Sequence, residues 1–342
     1  MYINSVQSYG NYYVNQNSKH YNNYYARECN EGGNNYFTHP ALKNLSADLF
    51  SFKKVKPQAP QRDFVAEKKA SIEKIQKELG ESIKAKDNKA ILTYFGMEPE
   101  YSEDGKLTIS EYKQPNFLVN FSDIGVNEQE LLAGLTKIKG NANFEKSKVE
   151  ELPELTHIGG EARFKDSKVK NLENLRYIGN DAWFSHSKVE NLSSLEVIEG
   201  SAWFDFSETK DLSNLKKVGG NVAYFSNSKV EDLSSLETIE GEAHFYDSKV
   251  KDLSSLKTIK YSADLRYLEA TELPKLESIG SFAMLDNSKV ESMPNLKYVG
   301  GELRINNTVM TKEDFEGVEI KGKISDKPYS LNPKANLPHL NK

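Results

Sequence analysis

One 20-residue unit recurs nine times between residue 140 and about residue 310. GEARFKDSKVKNLENLRYI returns as NDAWFSHSKVENLSSLEVI and again as GEAHFYDSKVKDLSSLKTI. The consensus is G-x-A-x-F-x-x-S-K-V-x-x-L-x-x-L-x-x-I, anchored at Gly140, Gly160, Asn180, Gly200, Gly220, Gly241, Tyr261, Ser281 and Gly301. One extra residue enters beside Val222, and a weaker tenth turn follows as IKGKIS, with Gly322 at the anchor and Ile324 facing in. A repeat this short cannot hide its own apolar side chains, so neighbouring units must stack on one another.

The apolar columns show how. Alanine stands at 142, 162, 182, 202, 223, 243, 263 and 283, and an aromatic column runs from Phe144 to Phe245 before giving way to Leu265, Leu285 and Ile305. A-x-F alternation has period two, which marks a short strand with alanine and phenylalanine on one face. The L-x-x-L-x-x-I run has spacing three, which fits a tight turn or 3₁₀-like return. Twenty residues leave little room for a helix. The expected fold is a repeat solenoid with one short parallel strand per coil, little helix on the return side and a small α/β N-terminal cap.

The motif A-x-F-x-x-S-x-V lies on the L-x-L-x-x-N-x-L pattern of leucine-rich repeats, with Ala162, Phe164 and Val169 in the apolar slots and Ser167 in the asparagine slot. The preceding I-x-G-x-A-x-F resembles the short repeats of receptor-L-type domains. The resemblance covers about half the chain and implies a binding role. Two departures stand out. Serine replaces the ladder asparagine, where its hydroxyl is expected to satisfy corner backbone groups across coils. Disulfide caps are missing, so the units look more like those of bacterial leucine-rich proteins.

The flanks differ. Residues 1–60 hold eight tyrosines in the first 36 positions, much asparagine and few aliphatics, which reads as a disordered segment. Residues 61–139 read as a helical and hairpin cap. Val65, Ile72, Ile75, Leu79 and Ile83 form one stripe of a charged helix that Gly80 is expected to weaken or break. Asp104-Gly105 signals a hairpin. FLVNF at 117–121 reads as a first strand, and NEQELLAGL as the capping helix, with Leu132, Leu135 and Ile138 already in the return slots. The solenoid occupies 140–325, and 326–342 reads as a flexible tail.

Composition excludes several classes. With 45 basic and 50 acidic side chains the net charge is −5, so no basic field exists to hold nucleic acid. No apolar run is long enough to span a membrane. The N-terminus lacks the apolar stretch of a Sec signal, so the expected location is cytoplasmic or reached by another export route. Cys29 is the only cysteine, which leaves neither an internal disulfide nor a multi-cysteine zinc site. Cys29 with His39 makes a poor nucleophile and base in such a segment. His244 beside Asp264 and Tyr246 suits ordinary hydrogen bonding better than metal ligation. No G-x-S-x-G motif or P-loop is present. The expectation is a non-enzymatic protein without cofactor or metal.

Residues flanking Ala and Phe point outward, in columns about 4.8 Å apart along the stack. One column reads Asn143, Arg163, Trp183, Trp203, Tyr224, His244, Asp264, Met284, Arg304; the next contains Asp205 and Tyr246, with His186 and Phe206 at the strand ends. Both tryptophans of the chain stand there, exposed by register, as one aromatic platform. The candidate partner surface is Trp183, Trp203, Tyr224 and His244, bounded by Arg163, Asp205, Tyr246 and Asp264, the pattern of an interface centre with a polar rim. Neighbouring aromatics also stabilise a sheet by stacking alone. A protein partner is the favoured expectation, with a surface or secreted glycan binder as the alternative. A further alternative is an effector whose activity lies in the first 110 residues or so, with the solenoid as targeting arm.

The lysines at 148, 168, 188, 229, 249 and 289 line one corner. Two positions on, Glu150, Lys170, Glu190, Lys210, Glu231 and Lys251 alternate in sign, as a solvated corner would. Asn171, Asn191, Asp211, Asp232 and Asp252 read as caps of the short turns.

Overall fold

The computed structural model describes residues 63–326. The Tyr/Asn-rich segment, Cys29, His39 and the tail after Asp326 lie outside these residues.

Helix α1 spans Phe64–Lys84 and starts at Asp63, whose carboxylate accepts hydrogen bonds from Val65 N (3.1 Å) and Ala66 N (3.0 Å). Ile75 and Leu79 are buried and Ile72 and Ile83 pack beside them, but Val65 is exposed. The stripe therefore begins at Ile72, about two turns later than its sequence suggests. Gly80 does not break the helix. Its helical cost of about 1 kcal/mol is outweighed by the apolar contacts on both sides of it. Helix α2 spans Asn88–Tyr94. Strands β1 (Glu100–Tyr101) and β2 (Leu107–Ile109) form the expected hairpin.

FLVNF is not a strand. Asn116 Oδ1 accepts from Leu118 N (2.8 Å) and Val119 N (2.9 Å), and Asp123 accepts from Asn120 N (2.8 Å). These local bonds turn the chain into a 3₁₀ segment at Phe121–Ile124. A one-turn helix α3, Glu128–Leu131, then leads into strand β3, Leu135–Ile138, which pairs in parallel with β2. Leu132, Leu135 and Ile138 are buried in the return slots, as expected.

From residue 140 the chain is a parallel β-solenoid with coils of about 20 residues and little helix. Each coil carries two short strands, one more than expected. The x-A-x position forms a 10-stranded parallel sheet, and the x-I end of the return forms a second sheet. That second sheet has 12 strands and is parallel except for the β1–β2 hairpin. Isolated parallel bridges link Glu151, Asn171, Asn191, Asp211, Asp232 and Asp252 along a third line. The return closes through turns such as Leu175 N to Leu172 O (2.9 Å), which is the tight geometry the spacing of three predicts. The turn caps form too: Asp211 Oδ1 accepts from Ser213 N and Asp232 Oδ1 from Ser234 N, both at 2.8 Å.

The core is columnar. Ala182, Phe184, Val189, Leu192, Leu195 and Ile198 of one coil are all fully buried. The phenylalanines stack coil on coil, with Phe164–Phe184 and Phe184–Phe204 centroids both 5.0 Å apart. Tyr112 extends this column into the cap at 4.3 Å from Phe144. Burial, and next the Glu128 carboxylate, hold its phenol well above the usual range. The extra residue near Val222 leaves the alignment of Ala202 with Ala223 intact. Coils approach closely at Gly220, where a Cβ would lie 2.1 Å from Ser201 N.

The serine column departs from expectation. Ser147 Oγ donates to Glu128 and accepts from Val149 N. The hydroxyls of Ser167, Ser187, Ser207, Ser228, Ser248 and Ser288 are buried without a hydrogen-bond partner among the described residues.

Candidate functional site

The outward side of the 10-stranded sheet brings the candidate residues together in the expected order. Parallel pairing aligns Arg163 with Trp183, Trp183 with Trp203, Trp203 with Tyr224, Tyr224 with His244, and His244 with Asp264. The strands that hold them are short, but each is fixed from behind by a buried alanine and a buried phenylalanine, or by Ala263 and Leu265 at Asp264.

Stacking dominates the middle. The Trp183 and Trp203 rings are 3.7 Å apart and inclined by 6°. Arg163 sets its guanidinium 5.9 Å from the Trp183 ring centroid and bonds Glu161 Oε2 through Nε (2.9 Å) and Nη2 (2.7 Å). Tyr224 stacks on His244 at 4.3 Å, and His244 Nε2 lies 3.4 Å from Glu242 Oε2. Rings stacked along the solenoid turn their faces to one another and their edges outward. The expectation of two exposed tryptophans forming a platform is therefore corrected. Trp203 is only 9% exposed and Trp183 is half-buried, because a stacked neighbour covers a face of each.

The margins are not uniformly open. Asp264, expected at the rim, is 7% exposed. Arg266 clasps it through Nε (2.7 Å) and Nη2 (2.6 Å) while standing 5.0 Å from the centre of the Tyr246 ring. The hydrogen bond to Asp264 raises the Arg266 pKa, and burial raises that of Tyr246. Asp205 accepts from Ser185 Oγ at 2.6 Å. Burial, the largest cause, also pushes the Asp181 carboxyl up, with Glu161 acting in the same direction.

Other side chains at this surface come from the position just before the serine column. There Phe206 and Tyr267 are 54% and 46% exposed. His186 stacks on Phe206 at 5.1 Å, and Tyr246 meets Tyr267 edge-on at 5.4 Å. Tyr267 was detectable only as a departure from its column.

Elsewhere on the solenoid many charges pair across coils. Glu196 pairs with both Arg176 (3.2 Å) and Lys216 (2.8 Å), Lys257 pairs with Glu237 (2.7 Å), and Lys297 with Glu277 (2.9 Å). At the corner, Lys251 pairs with Glu231 at 2.6 Å and Lys170 with Glu150 at 3.9 Å. Such exposed pairs contribute little each. Among the described residues no group of three or more His, Cys, Asp or Glu is arranged to hold a metal, and no helix is long and apolar enough to cross a membrane. Comparison with protein families, with curated proteins and with solved structures finds no match to this chain.

Proposed function

We propose that this protein is a non-enzymatic binding module, and that the outward face of its 10-stranded sheet recognises a protein partner. The observation that carries the reading is a contrast between columns of one repeat. Inward positions repeat almost without change, as in the alanine column and the run of phenylalanines. One corner column, from Glu150 to Lys251, alternates in sign from coil to coil. The outward column of this sheet changes character from coil to coil and holds both tryptophans: Arg163, Trp183, Trp203, Tyr224, His244, Asp264. A column kept for packing or charge balance would repeat. One that reads a partner has a different task on each coil.

A protein suits the face better than a glycan. Sugar rings pack on open aromatic faces, whereas the faces of the tryptophan pair are turned along the stack. Ring edges, carboxylates and a guanidinium match the mixed chemistry of a protein surface. The pattern A-x-F-x-x-S-x-V supports placing the solenoid near the short bacterial leucine-rich repeats, for which binding is the common role.

The test compares the full chain with Trp183→Ser/Tyr224→Ser as bait, with retained proteins identified by mass spectrometry and both baits also applied to a glycan array. The reading expects one protein held in stoichiometric amount by the parent chain and lost from the variant. Variant-sensitive binding to glycans alone would overturn it.

A further inference from the structure

Each coil places one residue in the left-handed backbone region just before the serine column: Lys146, Asp166, His186, Phe206, Asn227, Asp247, Tyr267, Asn287 and Asn307, with φ between 50° and 60°. Asparagine and aspartate tolerate this conformation, and they fill five of the nine positions. Phe206 (φ 54°) and Tyr267 (φ 58°) are bulky residues for which it is unfavourable. Both also leave about half of a large ring in water. Each thus carries two costs to folding where an asparagine would carry neither.

The same two coils depart from the consensus a second time. The lysine column is interrupted by glutamate at Glu208 and Glu269, two residues after each of these aromatics. Glu208 pairs with Lys229, Glu269 pairs with Lys249 (3.7 Å), and Asp264 neutralises Arg266. Asp205, next to Phe206, accepts from Ser185 Oγ, and Asp247 stands one coil before Tyr267; neither has an ion-pair partner among the described residues. Three coil steps of about 4.8 Å set the rings about 14 Å apart on one line.

We infer that Phe206 and Tyr267 are paired anchors for a basic protein segment, one that offers two apolar contacts about 14 Å apart and lysine or arginine for Asp205 beside the first ring and Asp247 one coil before the second. The inference rests on the reading of a protein partner above and names its chemistry. Each ring has one aromatic neighbour, His186 or Tyr246, and still leaves about half its surface in water; a strained backbone beneath such a ring marks a position kept for contact outside the chain.

The experiment has two readings on the full chain. Phe206→Asn and Tyr267→Asn are first melted. The anchors are expected to leave the melting temperature equal to or above that of the parent, because asparagine suits the backbone. A clear fall in both would show that the rings serve the fold, and would overturn the inference. A displayed library of random peptides of roughly twelve residues, long enough to span the two rings when extended, is then selected on the parent chain. The expected peptides are rich in lysine and arginine and carry apolar residues near both ends. Each asparagine variant is expected to weaken them by about tenfold or more. Acidic or uncharged peptides, no selected peptide, or binding indifferent to both variants would overturn it. Peptides indifferent to both variants but lost on Trp183→Ser/Tyr224→Ser would overturn the anchors and leave the sheet-face reading standing.

Discussion

Trp183 and Trp203 stack face to face at 3.7 Å with their planes only 6° apart, one coil above the other. They are the only tryptophans in the chain. Their coupled transitions should give a two-signed couplet in the far-ultraviolet circular dichroism. Trp183→Phe and Trp203→Phe should each abolish it while the rest of the spectrum persists. A couplet that survives either change would disprove the stacked pair.

Emission from the same pair should be blue-shifted and only partly open to acrylamide, since Trp203 is 9% exposed. Removing Trp183 uncovers one face of Trp203, so Trp183→Ser should make the remaining emission redder and easier to quench. Unchanged quenching would mean that something other than the stack shields Trp203.

Glu128 links the cap to the first coil. It is 2% exposed, and its Oε2 accepts from Ser147 Oγ at 2.7 Å and Lys148 N at 2.5 Å. Glu128→Ala leaves both donors without that acceptor. Bonds to a charged acceptor contribute about 1.5–3 kcal/mol each, so a loss on the order of 3 kcal/mol is expected in urea unfolding. A shift under about 0.5 kcal/mol would show that the cap does not depend on this carboxylate.

The unpartnered serines predict the opposite behaviour. Ser187→Ala removes a buried hydroxyl that has no hydrogen bond among the described residues, so it should be neutral or stabilising. Ser147→Ala breaks a real bond and should destabilise. A loss above about 1 kcal/mol at Ser187 would reveal a partner for its hydroxyl.

Asp181 predicts a pH dependence. Its carboxyl is raised chiefly by burial, against the lowering bond from Ser201 N at 2.8 Å. A raised folded-state pKa favours folding below the unfolded value of about 3.9, and that contribution is lost as pH rises through the folded value. Asp181→Asn keeps an oxygen for Ser201 N and carries no charge. It should therefore melt above the parent at neutral pH, with the advantage closing as pH falls below about 4. An advantage of equal size at both ends would assign it to something other than ionisation.

Much of this was legible in the repeat. Ala162 and Phe164 face inward because residues two apart in a strand share a face. Register followed from the 20-residue spacing, which a single insertion shifts without breaking. Other features were hidden. The return's terminal pair, such as Tyr177–Ile178, gives no alternating signal because it is too short, yet it builds a whole sheet. FLVNF has strand composition, but Asn116 captures its backbone. Asp264 reads as a rim charge until Arg266 is seen to close over it.

The sequence by itself determined the solenoid, its coil length, its inward columns and the order of residues along its outward face. Those depend on periodicity, and periodicity is a property of the chain. The tertiary structure alone decided which outward rings are covered, which hydroxyls lack partners and which residues carry a left-handed backbone. These depend on the distance and tilt between one coil and the next. Phe206 and Trp203 show the difference: both are outward aromatics of one coil with a ring of the preceding coil stacked on them, but the indole is 9% exposed, whereas the phenyl ring, on a left-handed corner of the backbone, is 54% exposed.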